Sequence, residues 1–316
     1  MGRRSFALRD MAADVKAATL GRAAKLARAI DHMPPAGAEV RLQQLQLLMQ
    51  YRGMRSAPSE LPGLADVRFD IFTPDGEDGA LLYIFGLIGF SSRRCVDIGG
   101  AGVTASNTAN LIVNHDFQGL VLDGNEHGLA RTARAYRRYN TAHAPQCVPA
   151  WITRDNVNDL LAEHGVVGEI DLLSLDMDGV DWWILDALEV VDPRVIVVEY
   201  QDILGPERAW TVPYRPDFNF REYPVNDGGA YDYCGAGLSS FVHVLKPRGY
   251  RLVGCNRAGY NAFFVRSDEA GDMLPEVGVE SCFVSPWNRY GMEHRFPRVA
   301  DMDWTDVTEV LTARVR

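Results

Sequence analysis

Two groups of residues have the types and spacing to do chemistry. An apolar run, Arg93–Ile98 (RRCVDI), ends in Gly99-Gly100-Ala101-Gly102, and Val103-Thr104-Ala105 follow. A strand, a glycine turn and a helix N-terminus together bring backbone N–H groups up to a nucleotide-like ligand. Gly100–Ala105 also fits the pattern G-x-G-x-x-A. Asp123, closing the next apolar run, suits a ribose-binding carboxylate or a turn cap. The second group is Asp176-x-Asp178-x-x-Asp181, at the end of Ile170–Leu175. Carboxylates gathered at a strand's C-terminal end are costly unless something positive neutralises them. Asp181 fits the N-cap of the next helix. Asp176 and Asp178 are then available to an ammonium group, an acceptor hydroxyl or a divalent cation, and Glu199 could complete an oxygen-rich Mg²⁺ site. Among seven histidines, His243 is best placed as a general base, against the plainer reading of a core or surface residue.

Alternating strands and helices must position these groups. From Asp75 onward, apolar runs at Arg93–Ile98, Gly119–Leu122, Cys147–Ile152, Ile170–Leu175 and Arg194–Tyr200 predict buried parallel strands. Helices are expected over Leu81–Ile88, Ala105–Asn114, Glu126–Tyr139, Asn156–His164, Asp181–Val190 and Leu238–Leu245. Only the turn Asn256–Tyr260 separates Tyr250–Cys255 from Asn261–Arg266, so these two strands should form an antiparallel hairpin. Before this unit, helices are expected over 11–30 and about Ala38–Tyr51, the latter burying Leu42, Leu45, Leu48 and Met49, with a short extended piece around Val67–Phe72. Residues 201–236 break the rhythm but are aromatic-rich, which suits an ordered lid, and Tyr231 and Tyr233 there could line an acceptor pocket.

Asp97 lies directly ahead of the glycines. A carboxylate there can orient the ammonium of S-adenosylmethionine, whereas a dinucleotide pyrophosphate would gain nothing from it. Val96-Asp-Ile-Gly-Gly-Ala-Gly102 and Leu120-Val-Leu-Asp-Gly-Asn125 resemble motifs I and II of the class I S-adenosylmethionine-dependent methyltransferases. Gly76–Gly79 (GEDG), Ile170–Trp183 (IDLLSLDMDGVDWW) and Gly249–Val265 resemble the FkbM-like branch, which includes O-methyltransferases of sugar and natural-product pathways. The resemblance covers roughly residues 70–266. Motif I departs from the usual pattern in having Ala101 and Val103 around its last glycine. The resemblance implies an α/β, Rossmann-like class I sheet with a terminal antiparallel hairpin. It assigns Asp97, Gly99, Gly100 and Gly102 to the methionine moiety and Asp123 to the ribose, with Asn125 beside it. Asp155 or Asn156 would meet the adenine amine, and Asp176 would stand where donor and acceptor meet. The implied organisation is a helical extension (1–69), a methyltransferase domain (70–267) with a lid insert (201–236), and a C-terminal tail packed on the domain (268–316).

Composition bounds the rest. The chain has 316 residues and a net charge of −10, which argues against nucleic acid as a substrate. Residues 1–60 run against this trend, with ten basic and five acidic side chains, a solvated face or a docking surface. Its five dispersed cysteines form no CxxC pair, so neither a zinc framework nor a disulfide scaffold is expected. No membrane-spanning run or secretory signal is read, and a cytoplasmic protein is expected. The expected activity is transfer of a methyl group from S-adenosylmethionine to an oxygen of a small natural-product or sugar-like acceptor. A homodimer through the N-terminal helices is also expected. The competing readings are a non-methyl transfer or cyclisation with the same cofactor, and a nicotinamide-dependent oxidoreductase.

Overall fold

A computed structural model of the chain describes residues 37–139, 143–223 and 231–315, and the helix expected over 11–30 lies outside them. The first described helix, α1 (Ala38–Met54), is followed by α2 (Glu77–Ile88) and then by β1 (Arg94–Ile98), α3 (Ala109–His115), β2 (Gln118–Asp123), α4 (Glu126–Tyr139) and β3 (Gln146–Pro149). The second half contains α5 (Val157–Glu163), β4 (Gly168–Leu175), α6 (Asp181–Ala187), β5 (Val191–Glu199), β6 (Trp210–Thr211), α7 (Leu238–Leu245), β7 (Tyr250–Cys255), β8 (Asn261–Arg266), α8 (Pro286–Tyr290), β9 (Thr305–Asp306) and α9 (Val307–Val315).

Seven strands form one sheet in the order β3-β2-β1-β4-β5-β8-β7. β1 to β5 run parallel, while β8 pairs antiparallel with both β5 and β7, as the short Asn256–Tyr260 turn requires. This is the Rossmann-like α/β sheet with the terminal antiparallel hairpin expected from the sequence. Alternate residues of each strand feed two cores. Val96, Ile98, Leu173 and Leu175 face α5, α6 and α7, while Cys95, Val121, Leu172 and Val197 face α2, α3 and α4. The chain leaves β1 toward β3 on one side and returns to β4 on the other. The gap between β1 and β4 is therefore the topological switch point where ligands of such sheets bind. A second, two-stranded sheet pairs β6 with β9, joining the insert to the C-terminal segment. Tyr233 reinforces that junction, its hydroxyl donating to the Asp303 carbonyl at 2.6 Å. Among the described residues, no helix is long and apolar enough to cross a membrane.

Three local expectations are corrected. The piece around Val67–Phe72 is a 3-10 turn (Leu64–Val67) running into a loop, not a strand. Asp78 Oδ2 accepts from the backbone N–H groups of Ile71, Phe72 and Thr73 at 2.6–2.9 Å, taking the donors a strand would have used. The helix expected from Ala105 begins at Ala109, because Ser106 and Thr108 turn their hydroxyls back onto Asp97. In α1 the buried face is Gln44, Leu48 and Tyr51, while Leu42, Leu45 and Met49 are exposed. Gln44 is drawn inward by amide bonds to Asn110 at 3.0 Å and by the His115 ring at 2.6 Å.

That network makes a prediction. Burial first, with Arg41 and Arg93 adding to it, lowers the His115 pKa to about 4. The unfolded chain takes up this proton near pH 6.5 and the folded one resists it until about 4. The stability is therefore fully present above pH ~6.5 and declines as pH falls toward 4, by a few kcal/mol at most. Urea unfolding across this range should show the decline, and His115→Gln should flatten it. A His115→Gln protein with the same acid dependence would place the effect elsewhere.

Candidate active site

The switch point opens into a cavity of about 620 Å³ at the C-terminal ends of β1, β2 and β4. Gly99 leaves β1 at φ +90°, and a Cβ there would lie 1.6 Å from the Asp176 carbonyl oxygen. Only a glycine permits this approach. At Gly100 a Cβ would sit 2.7 Å from Asp97 Cγ, so the turn is pressed between the carboxylate and the strand ends. The Ala101 N–H donates to Asp123 Oδ2 at 3.0 Å and the Asn125 N–H to Asp123 Oδ1 at 2.5 Å. Asp123 thus ties the glycine turn to the end of β2 while still lining the cavity. Asn125 Oδ1 accepts from Gly128 N at 2.9 Å, which makes it the cap of α4 as well as part of the wall. Asp97 lines the floor, and its Oδ2 accepts from Ser106 Oγ at 2.7 Å and Thr108 Oγ1 at 2.9 Å. Burial raises its pKa and those two hydroxyls partly restore it.

Beyond β3 the wall is Trp151 and Ile152 rather than the polar pair. Asp155 accepts from the Tyr214 hydroxyl at 3.1 Å, and Asn156 brackets the loop through Thr153 N and the Trp151 carbonyl. Neither lines the cavity. They hold the segment that presents Trp151, whose indole N–H donates to the Pro216 carbonyl at 2.6 Å. Phe218, Phe220 and Arg221 of the insert cover the opposite side. Sequence reasoning missed Trp151 and Arg221. A tryptophan just past the end of the third strand was the available signal, and Arg221 offered none. His243, on α7, bonds the Ser239 carbonyl at 2.7 Å and lines neither cavity described here.

The carboxylates meet as expected from their positions. Asp176, Asp178 and Glu199 each place an oxygen within 4.8 Å of the others. Asp178 adopts φ +53°, a conformation that a non-glycine residue holds only where its surroundings impose it. Asp181 accepts from Met177 N at 2.7 Å and Gly179 N at 2.9 Å, so it organises the turn and is not free for a ligand. Burial, then the neighbouring Asp178 charge, pushes Asp176 up to about 8. Burial and the charges of Asp176 and Asp178 push Glu199 well above the ordinary carboxylate range. Asp178 is also raised by burial, with Arg221 pulling it back. On the far side of Asp178 lies a second cavity of about 270 Å³, reached also by Glu199, Tyr231, Tyr260, Trp287 and Arg295. Asp178 is shared by both cavities. Tyr233 is buried behind this wall against Trp304.

No protein-family model matches the chain, and no curated protein matches it. Solved structures do. The O-methyltransferase from Bacillus cereus in complex with S-adenosyl-L-homocysteine is 14% identical, over 76% of this chain and 95% of that one, with a TM-score of 0.38. The pyocyanin biosynthetic protein PhzM is 18% identical over 59% and 56%, with a TM-score of 0.34. An O-methyltransferase from neocarzinostatin biosynthesis, in complex with S-adenosyl-L-homocysteine and 1,4-dihydroxy-2-naphthoic acid, is 14% identical over 55% and 48%, at 0.34. The chain spans about half the length of the latter two. Likenesses this slight add nothing to what the sheet order and the cavities establish.

Asp123 gives the most direct test of the larger cavity. Asp123→Ala removes a carboxylate from the cavity wall and releases Ala101 N and Asn125 N, at a cost of ~1.5–3 kcal/mol. Calorimetry should show S-adenosylhomocysteine binding weakened at least tenfold. Unchanged affinity would remove Asp123 from the binding site.

Proposed function

We propose that the chain is an S-adenosylmethionine-dependent O-methyltransferase of the FkbM-like branch, acting in the cytoplasm on a small natural-product or sugar-like acceptor. One observation carries the reading: the Gly99–Gly102 turn and Asp123 line a cavity whose far end, at Asp178, adjoins a second, smaller one. Two adjoining cavities suit a donor and an acceptor. S-adenosylmethionine, when bound, would supply an electrophilic methyl on a sulfonium.

The chain's own residues then have distinct tasks. The glycine turn and Asp97 would receive the methionine end, Asp123 the ribose, and Trp151 and Ile152 an adenine face. The boundary between the cavities would align an acceptor oxygen in line with the departing sulfur, which is the main work of such a transfer. Asp176, held at about 8, is as an ionised carboxylate a stronger base than an ordinary aspartate, and it lies where the acceptor proton must leave. Asp178 would receive or orient the same hydroxyl. His243 takes no part, because it lines neither cavity. Asp176, Asp178 and Glu199 form an all-oxygen donor set that also suits Mg²⁺, which would supply a Lewis acid to the acceptor oxygen. Activity that survives exhaustive chelation would remove the metal. The exposed Leu42, Leu45 and Met49 support the expectation of a homodimer through the N-terminal helices.

The deciding experiment is calorimetric titration with S-adenosylhomocysteine against an NADH control, followed by product analysis with candidate acceptors. Micromolar binding and release of S-adenosylhomocysteine are expected. Methylthioadenosine as the product would point to a non-methyl transfer, and binding of NADH alone would overturn the reaction class.

A further inference from the structure

We propose that Ser106, Thr108 and Ser174 are positioning residues for the donor, a cage of hydroxyls that holds the Asp97 carboxylate charged and turned so that the site selects a ligand with a free α-ammonium. The inference rests on the proposed methyltransferase reading and deepens its account of the methionine end.

Asp97, at the end of β1, is 4% exposed, and a carboxylate so far from water stays ionised only where other donors replace its hydration. Hydroxyls do so here. Ser106 Oγ and Thr108 Oγ1 both donate to Oδ2, at 2.7 and 2.9 Å. Ser174, beside Asp97 in the β1–β4 pairing, contributes a third hydroxyl. The Asn107 side-chain amide donates to Ser174 Oγ at 3.2 Å, which leaves the Ser174 hydrogen to point at the carboxylate. Burial raises the Asp97 pKa, and the three hydroxyls pull it back. Two bonds on one oxygen also fix the rotation of the group and leave Oδ1 clear of the Ser106 and Thr108 hydroxyls.

The cage and the ligand share a wall, because Asp97, Ser106, Asn107 and Ser174 all line the larger cavity. Arg221, the one Lys or Arg lining that cavity among the described residues, offsets Asp178 instead. The cation for Asp97 is left to the ligand. The segment that carries the hydroxyls gives up local stability to reach the carboxylate. Thr108 is the N-cap of α3, yet its hydroxyl makes no bond to that helix and goes to Asp97. Ala105 takes φ +78°, a left-handed conformation that an alanine holds only where its surroundings impose it.

The test pairs S-adenosylhomocysteine with its deamino analogue, which lacks only the α-ammonium, in calorimetric titrations of the full chain. The parent should bind S-adenosylhomocysteine about tenfold tighter or more, from one charge-assisted pair. Ser106→Ala/Thr108→Val should cut that preference to about threefold or less while the deamino analogue binds no more weakly than before. Thr108→Ser keeps the hydroxyl and should keep the full preference. Ser106→Ala alone is the milder change, should remove part of the preference, and serves if the double variant does not fold. An intact preference in the double variant would overturn the inference, because Asp97 would then be charged without the cage. Equal weakening of both ligands would overturn it too, by showing a role in the turn's structure alone, as would a parent that binds both ligands equally. Failure of S-adenosylhomocysteine to bind the parent falls instead on the donor reading. The two failures are separately visible.

Discussion

Arg194→Met should cost the fold about 3–5 kcal/mol, the range found when one partner of a buried ion pair is removed. Arg194, 5% exposed near the start of β5, donates to Asp171 Oδ1 at 2.7 Å and to Glu269 Oε1 at 2.6 Å. It also donates to the carbonyls of Ile88 and Gly89, closing the C-terminal end of α2. Asp171, with no exposed surface, sits on β4 and accepts in addition from Ser91 N and Arg93 N. One guanidinium therefore joins two strands, a helix end and the segment after β8. Methionine fills much of the volume but leaves Asp171 charged and buried, so most of the penalty comes from the residue left behind. Urea unfolding would measure it. The double variant Arg194→Met/Asp171→Leu should recover part of the loss, since neither charge then remains. A single variant as stable as the parent would show that water reaches Asp171.

Gly99→Ala should be equally severe and act on the donor site directly. The added Cβ would have to occupy a point 1.6 Å from the Asp176 carbonyl oxygen, in a left-handed conformation that costs an alanine about 1–2 kcal/mol. The obstruction is backbone, so no rotamer change relieves it, and the β1 turn must move away from the end of β4. Overpacking of this kind adds about 1–3 kcal/mol. A displacement of about 1 Å at a reacting site typically costs a hundredfold. We expect turnover to fall by about that factor, with S-adenosylhomocysteine binding weakened as well. Gly102→Ala is the control. Its φ is not in the left-handed region and its nearest neighbour, the Thr104 carbonyl oxygen, lies at 3.1 Å, so its effect should be smaller than that of Gly99→Ala. Equal losses from both variants would show that the turn responds to bulk anywhere rather than to the contact with Asp176.

The sheet was legible because each of its central strands is covered on both faces. That demand writes Val, Ile and Leu runs such as Val195–Val198 directly into the chain. The glycine turn was legible for a similar reason, since its close approach to β4 admits one residue type. What escaped is non-local. The start of α3 depends on hydroxyls of Ser106 and Thr108 finding Asp97 across the turn, and helical periodicity does not encode that competition. The buried face of α1 follows Gln44 because Asn110 and His115 await it some 70 positions later. The smaller cavity draws Asp178, Glu199, Tyr260, Trp287 and Arg295 from four separate segments, and Trp287 and Arg295 come from a tail whose own pattern suggested only packing.

That division of labour between cavities bears on how such a protein can change. The larger cavity draws on residues 97–221 and the smaller one on residues 178–295, with Asp178 as their common residue. On the proposed reading, substitutions at Tyr231, Tyr260 or Trp287 reshape what is methylated without touching what donates the methyl. Selection, or a library confined to those positions, could therefore explore new acceptors while the donor affinity stays fixed. Asp178 has no such freedom, because a change there is felt on both sides of the reaction.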